Sequence, residues 1–354
     1  MSAVHAPHAH APVSVDRVMG AVMLALAPAT LFGFWLYGWP ALYLWLTALA
    51  AAALGEALAL RLMRRPVWAT LRDGSALLTG WLLALTLPPW APWWIAVLGS
   101  LFAVVAVKQV FGGLGQNVFN PAMAARVMLL ISFPLEMTAW VAPTPLTSPQ
   151  APGPLEALSI TFAGTTLDAV SSASLLGHVK TELGRGVDLS ASLPDVYAAQ
   201  AQLWGQRIGS LGETAALLLV LGGVYLLARG VITWQAPLAT LLGVALPAAI
   251  AHALDPAHFL GPVPHLLSGG LILAAFFIVT DPVTSPNTGL GQALFGLGVG
   301  LLTWLIRTFG GYPEGLGFAV LLMNAATPVI DRYVRPRIFG RDRRGRALPV
   351  EEAK

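Results

Sequence analysis

The chain has 354 residues, a formal charge of +3 and only 10% charged residues, against roughly a quarter in soluble domains. A mean hydropathy of +0.71 with 56% hydrophobic residues excludes an ordinary water-soluble globule, because a single core this apolar splits into domains as it grows. The absence of cysteine excludes disulfides, thiolate nucleophiles and iron-sulfur clusters held by cysteines of this chain. The cations gather in short segments that flank apolar runs, which marks membrane topology rather than nucleic-acid binding. A multi-spanning protein embedded in a lipid bilayer is the economical reading.

A bilayer core of about 30 Å takes about 20 helical residues to cross, and ten apolar windows approach that length: 18–38, 41–63, 75–89, 92–110, 121–141, 212–229, 231–252, 265–280, 288–308 and 315–333. Residues 1–17, with His5, His8 and His10, read as a disordered cytoplasmic tail. The first window passes into the second after only Gly38 to Pro40, so it reads as a span rather than a cleaved signal. The third and eighth windows are short and run into proline, at Pro88 and Pro89 and at Pro282, so interrupted helices are expected there. With the amino terminus inside, sixteen of the twenty arginines and lysines fall on cytoplasmic segments, Lys108 and Arg126 among them. Both termini, including the basic tail 334–354, are therefore expected in the cytoplasm.

Residues 143–211 form the one long hydrophilic insertion, and odd span parity puts it outside the cytoplasm. It opens with Pro143, Pro145, Pro149, Pro152 and Pro154, an extended lead-in. Leu77-Leu-Thr-Gly80 recurs as Leu266-Leu-Ser-Gly269, and Phe111-Gly-Gly113 recurs as Phe309-Gly-Gly311. Five windows per half then imply two inversely oriented copies, 18–142 and 212–333. The fold class expected is an all-α polytopic membrane protein, about ten transmembrane helices in a 5+5 inverted repeat with broken helices and one long periplasmic loop.

In such repeats broken helices meet near the midplane and line a site or a pathway. Two segments suit that role, Phe111 to Arg126, which carries Asn117 and Asn120, and Thr280 to Pro286, which carries Asp281. Asn120 is placed to cap a helix with Pro121 at its first position. Asn120 and Asp281 serve equally well as partners for freed backbone groups, and Arg126 as an anchor at the cytoplasmic end. Glu56 lies inside the second window, where a carboxylate is costly. It relays a proton, binds a cation, or stays neutral and hydrogen-bonded, and the residue pattern leaves all three open.

Three stretches carry a family resemblance: Gly113-Leu-Gly-Gln-Asn-Val-Phe-Asn-Pro-Ala-Met-Ala-Ala-Arg126, Thr280-Asp-Pro-Val-Thr-Ser-Pro286, and Phe309-Gly-Gly-Tyr-Pro-Glu-Gly-Leu-Gly-Phe-Ala-Val-Leu-Leu-Met-Asn324. They resemble the family that unites the B-type membrane component of the sodium-translocating NADH:quinone reductase with the D-type membrane component of the Rnf complex. The 17 residues before the first window are shorter than the usual extension of the former and favour the Rnf member. The resemblance implies a component that carries electrons by flavin, in a complex of the bacterial inner membrane coupling ferredoxin and NAD redox chemistry to ion movement. It implies the other Rnf subunits and an FMN transferase as partners. No strand-turn-helix with a dinucleotide fingerprint and no Walker loop is present, so nucleotide chemistry falls to other subunits, and this chain holds no complete active site.

The family joins FMN through its phosphate to a hydroxyl in a motif of the form Asp-x-x-Ser/Thr-Gly-Ala-Thr. The matching residues are Asp168, Ser171, Ser172, Ala173 and Ser174, with Ser174 as the residue that carries the FMN and the others as the attachment motif. Ser172 replaces the usual glycine and Ser174 the usual threonine, and the second change keeps an alcohol oxygen. The resemblance also suggests a noncovalent flavin, riboflavin, in the membrane part, with no residues assigned to it. A passive channel or transporter for a small polar solute is the competing reading, since an inverted repeat with broken helices also makes a pore.

Overall fold

The computed structural model describes residues 14–164, 174–189, 205, 208–312 and 314–336. Among the described residues every regular element is a helix. Helix α1 (Val15–Tyr37) and helix α2 (Trp39–Leu62) meet at Gly38, whose φ of 75° is a conformation that glycine alone adopts cheaply. A short helix α3 (Val67–Leu71) precedes α4 (Ser75–Thr86). Helix α5 (Trp93–Leu101) continues without a break as a π-helix over Phe102–Gln109. Helix α6 (Pro121–Ser132) and the short α7 (Pro134–Thr138) complete the first half.

In the insertion, α8 (Pro154–Leu158) runs into a π-turn at Ser159–Ala163, and α9 (Leu175–Gly184) follows. Pro154, expected as part of the extended lead-in, instead opens α8 at a position where its missing N–H is not needed. The second half comprises α10 (Ala216–Ala228), α11 (Gln235–Leu254), the short α12 (Pro262–Leu267) and α13 (Leu271–Phe277), then α14 (Gly289–Phe309) and α15 (Leu316–Tyr333).

Each of the ten windows carries helix. Among the described residues four helices, α1, α2, α11 and α14, are long and apolar enough to cross a membrane, and the 23 residues of α1 extend about 35 Å. Shorter apolar helices fill 75–86, 93–109, 121–132 and 216–228. The third window stops at Thr86, ahead of the prolines, and the eighth divides into α12 and α13 around Ser268 to Gly270. Leu77-Leu-Thr-Gly80 lies within unbroken α4, whereas its counterpart Leu266-Leu-Ser-Gly269 sits at that division.

Helix α2 packs on α4, α5 and the π-helix, and α11 packs on α12, α13 and α14. Across the halves, α1 lies on α10 and α6 lies on α15. Several helix pairs approach through backbone at glycine. A Cβ on Gly300 would come 2.3 Å from the Thr240 carbonyl, and one on Gly222 would come 2.4 Å from that of Ala25. One apolar cluster joins the halves, with Leu26, Leu83, Ile95, Met123, Phe295 and Val299 all fully buried. Outward-facing Leu24, Leu31, Leu54, Leu58, Leu246 and Ile250 are exposed. Apolar cover on this scale is unusual for a water-facing monomer and suits lipid.

Candidate functional site

The segment ahead of α6 ends in Asn120, whose side chain accepts from the Met123 N–H at 3.1 Å and caps the helix, with Pro121 next, as the sequence leads one to expect. Its Nδ2 donates to Asp281 Oδ2 at 3.3 Å, and its backbone N–H donates to Asn324 Oδ1 at 3.0 Å. Asn324 Nδ2 donates in turn to the Thr284 carbonyl at 3.1 Å. The Asp281 carboxylate also accepts from the Thr284 hydroxyl at 3.0 Å and from the Val283 N–H at 3.1 Å. Segments 161 and 204 positions apart thus close into one network. All three stretches that carry the family resemblance meet there, where interrupted helices leave backbone groups to satisfy.

Asn120, Asp281 and Val283 of this network line an inner cavity, together with Ser75, Lys108 and Asn117 and with apolar Leu78, Phe276 and Phe277. Asn117 is buried. Its Nδ2 donates to the Phe119 carbonyl at 3.1 Å, while its Oδ1 is buried without a hydrogen-bond partner. The cavity volume is about 100 Å³.

Glu56 is fully buried on α2. Its Oε1 pairs with Lys108 Nζ at 2.6 Å and accepts from Gln109 Nε2 at 2.6 Å. Lys108 also donates to Ser75 Oγ at 2.6 Å, and that hydroxyl donates to Asp73 Oδ1 at 2.5 Å. A polar chain therefore runs from the turn before α4, past the inner cavity, to Glu56. Both Lys108 and Gln109 reach Glu56 because they end the π-helix. A turn that closes on i+5 holds more residues than an α-turn, so consecutive side chains diverge by a smaller angle. Glu56 Oε2 and Gln109 Oε1 are buried without partners, two acceptors facing a low-dielectric interior.

Lys108, Gln109, Ser75 and Asn324 were absent from the sequence-based candidates. Lys108 counted there as one more cytoplasmic flank charge. The signal was a cation inside an apolar window with a carboxylate inside another. Arg126 does not join the network. It is buried, and its guanidinium donates to the Thr86 carbonyl at the end of α4, where a cation complements the helix dipole. Arg307 behaves similarly on α14. It binds Glu314 at 3.0 Å together with the carbonyls of His265 and Ser268.

Ser174 is the half-buried N-cap of α9, its Oγ accepting from the Gly177 N–H at 3.3 Å. It lines a small recess with Glu213, Ser268 and Glu314. Asp168, Ser171, Ser172 and Ala173 lie outside the described residues. Six positions along α9, Lys180 Nζ donates to the Tyr312 carbonyl at 3.0 Å, and burial holds its pKa below the ordinary lysine value.

Residues 2–340 match the model of the NQR2, RnfD, RnfE family. The chain is 53% identical over 349 residues to the D-type component of the ion-translocating oxidoreductase complex of Halorhodospira halophila, covering 98% of each chain. It is 55% identical over 336 residues to the protein of the same name from Stutzerimonas stutzeri, covering 95% of each. The Rhodobacter capsulatus protein of that name is 47% identical over 304 residues, 86% of this chain and 84% of its own.

Proposed function

The chain belongs to the NQR2, RnfD, RnfE family, and from that premise we propose that it is the D-type membrane component of an Rnf ion-translocating oxidoreductase complex and carries electrons through covalently held FMN. The observation that carries the flavin part is the position of Ser174. Its alcohol stands at the amino end of a ten-residue helix, where an esterified phosphate meets unpaired backbone N–H groups and the positive end of the dipole. The cap bond engages a lone pair of Oγ and leaves the O–H available to the FMN transferase. The partners are the other subunits of the complex, which hold the nucleotide sites.

The recess at Ser174 and the inner cavity are joined by one stretch of chain, from Ser268 through α13 to Asp281. Packing of α1 on α10 and of α6 on α15 supports an inverted repeat, each contact pairing counterparts from the two halves. In that arrangement ten helices cross the bacterial inner membrane, both termini are cytoplasmic, Ser174 is periplasmic and the inner cavity lies towards the cytoplasm.

A noncovalent flavin such as riboflavin suits the inner cavity chemically. Asn117 offers an unpartnered buried acceptor, Asn120 and Asp281 a polar edge, and Phe276 and Phe277 apolar cover. The free space of about 100 Å³ takes water or an ion and is less than a tricyclic ring occupies, so a flavin there requires the lining to open. A flavin supplies one- or two-electron transfer, linking one-electron centres to a hydride carrier. Glu56 is the proposed proton or cation acceptor on the ion path, its Oε2 and the Oε1 of Gln109 both being buried without partners.

In-gel flavin fluorescence of the denatured, washed chain, co-produced with the transferase, tests the central reading. Mass spectrometry then locates FMN on the Ser174 peptide. An unmodified peptide, or flavin that persists in Ser174→Ala, refutes it. A channel for a polar solute would instead show flux through the isolated chain in liposomes and no bound flavin.

A further inference from the structure

On the α9 side of the molecule lies a second, larger cavity of about 400 Å³, within the range of roughly 300–1,000 Å³ found for small-molecule sites. One flank is a single face of α9, Leu176, Val179 and Leu183, at the spacing that aligns side chains along a helix. The other flank is aromatic, Phe259 and Phe309, with ring centroids 6.2 Å apart and edge to face. The polar lining is Lys180, His265, Thr308, Arg307 and His258.

Those polar groups are incompletely used. His265 is 4% exposed, and its Nδ1 and the Thr308 Oγ1 are buried without hydrogen-bond partners. Such groups are expensive to leave unpaired. Lys180 Nζ donates to Tyr312 O at 3.0 Å and approaches Arg307 O at 3.5 Å, which leaves one of its three hydrogens uncommitted. Arg307 is occupied by Glu314 and two carbonyls, so Lys180 is the cation available to a guest. Two apolar walls with one polar, cationic edge describe a seat for a flat heteroaromatic ring, whose faces are apolar and whose edge alternates donors and acceptors. A lipid chain would leave that edge unsatisfied.

We propose that this cavity seats the isoalloxazine ring of the flavin tethered at Ser174, with Lys180, His265 and Thr308 along its pyrimidine edge. This rests on the attachment reading above. Ser174 heads the helix whose face lines the cavity, and Leu176 to Gly184 lie about 3 to 15 Å further along its axis. A phosphate and a five-carbon ribityl chain bridge the first part of that distance and deliver the ring between α9 and the two phenylalanines. The Lys180 ammonium then stabilises the negative charge that reduction places on the pyrimidine edge, which raises the potential of the tethered flavin.

The test compares the full chain, co-produced with the transferase, with Lys180→Met, Lys180→Arg and the near-isosteric Thr308→Val. Mass spectrometry of the Ser174 peptide reads attachment, and spectroelectrochemical titration reads the covalent flavin. Attachment is expected in all four proteins. At fixed potential, Lys180→Met should lower the reduced-to-oxidised ratio about tenfold, some 30 mV for a two-electron couple. Lys180→Arg should restore most of it, and Thr308→Val should shift the visible absorption bands. FMN on the Ser174 peptide with unchanged titration and spectra in Lys180→Met and Thr308→Val overturns the seat. An unmodified peptide in the parent chain overturns the tether and the seat with it, so the two failures are read from different measurements.

Discussion

Replacing Lys108 by Met should be among the most damaging single changes in the membrane body. The side chains of Lys108 and Glu56 are 2% and 0% exposed, with Nζ and Oε1 2.6 Å apart. At an effective dielectric constant of 20, that separation gives an attraction of about 6 kcal/mol, part of which offsets the desolvation of both ions. Removing the lysine leaves a carboxylate facing only the Gln109 amide, its Oε2 already unpartnered. Breaking one side of a buried pair typically costs about 3–5 kcal/mol. Neutralising both partners, as in Glu56→Gln with Lys108→Met, leaves no buried charge and should recover most of that loss. A double-mutant cycle on thermal unfolding in detergent, with full FMN content verified, measures the coupling. A Lys108→Met protein as stable as the parent, or a double variant no better than the single, would refute the paired-ion account. The same double variant should lack redox-driven ion uptake in the assembled complex in sealed vesicles, which separates the pair's structural role from the transport role proposed for Glu56.

Ser174→Ala should abolish in-gel flavin fluorescence from the covalent site while the complex still assembles, since its cap bond contributes only about 1 kcal/mol. Asn324→Leu removes the acceptor for the Asn120 N–H and the donor to the Thr284 carbonyl. It should cost about 1–3 kcal/mol for the buried Asn120 N–H left unpaired, the Thr284 carbonyl keeping the Thr327 hydroxyl at 3.0 Å, seen as a lower unfolding midpoint, and an unchanged midpoint would disprove the network. Gly300→Val should destabilise by about 1–3 kcal/mol or more, because its Cβ meets the Thr240 carbonyl 2.3 Å away; monodisperse, parent-like material on size exclusion would contradict the backbone contact. Burial disfavours the charged form of Lys180, so its folded-state pKa lies below the unfolded one and the folded chain binds fewer protons between the two. Stability should therefore rise with pH across that window, and Lys180→Met should flatten the rise in alkaline unfolding curves.

Local features were legible in the residues. The charge-poor composition placed the chain in a membrane. Pro88 marked the early end of the third window, and Asn120 followed by Pro121 announced a helix start, because proline geometry and capping act within a few residues. Asn120, Asp281 and Asn324 each fall in one of the three stretches that carry the family resemblance, although their grouping and which atom binds which were not legible.

Other features belong to tertiary structure. Lys108 read as a flank charge because 52 positions separate it from Glu56, and only the crossing of α2 with the π-helix brings them together. Arg126 read either as part of the pathway segment or as an anchor at the cytoplasmic end, yet the packing of α6 beside α4 buries it against the Thr86 carbonyl. The division at Ser268 to Gly270 was equally hidden, since the matching Leu77-Leu-Thr-Gly80 stays helical. Propensity and hydropathy are sums over neighbours in the chain. The energy of a buried charge depends on what lies across a helix interface, and that is decided only when the helices pack.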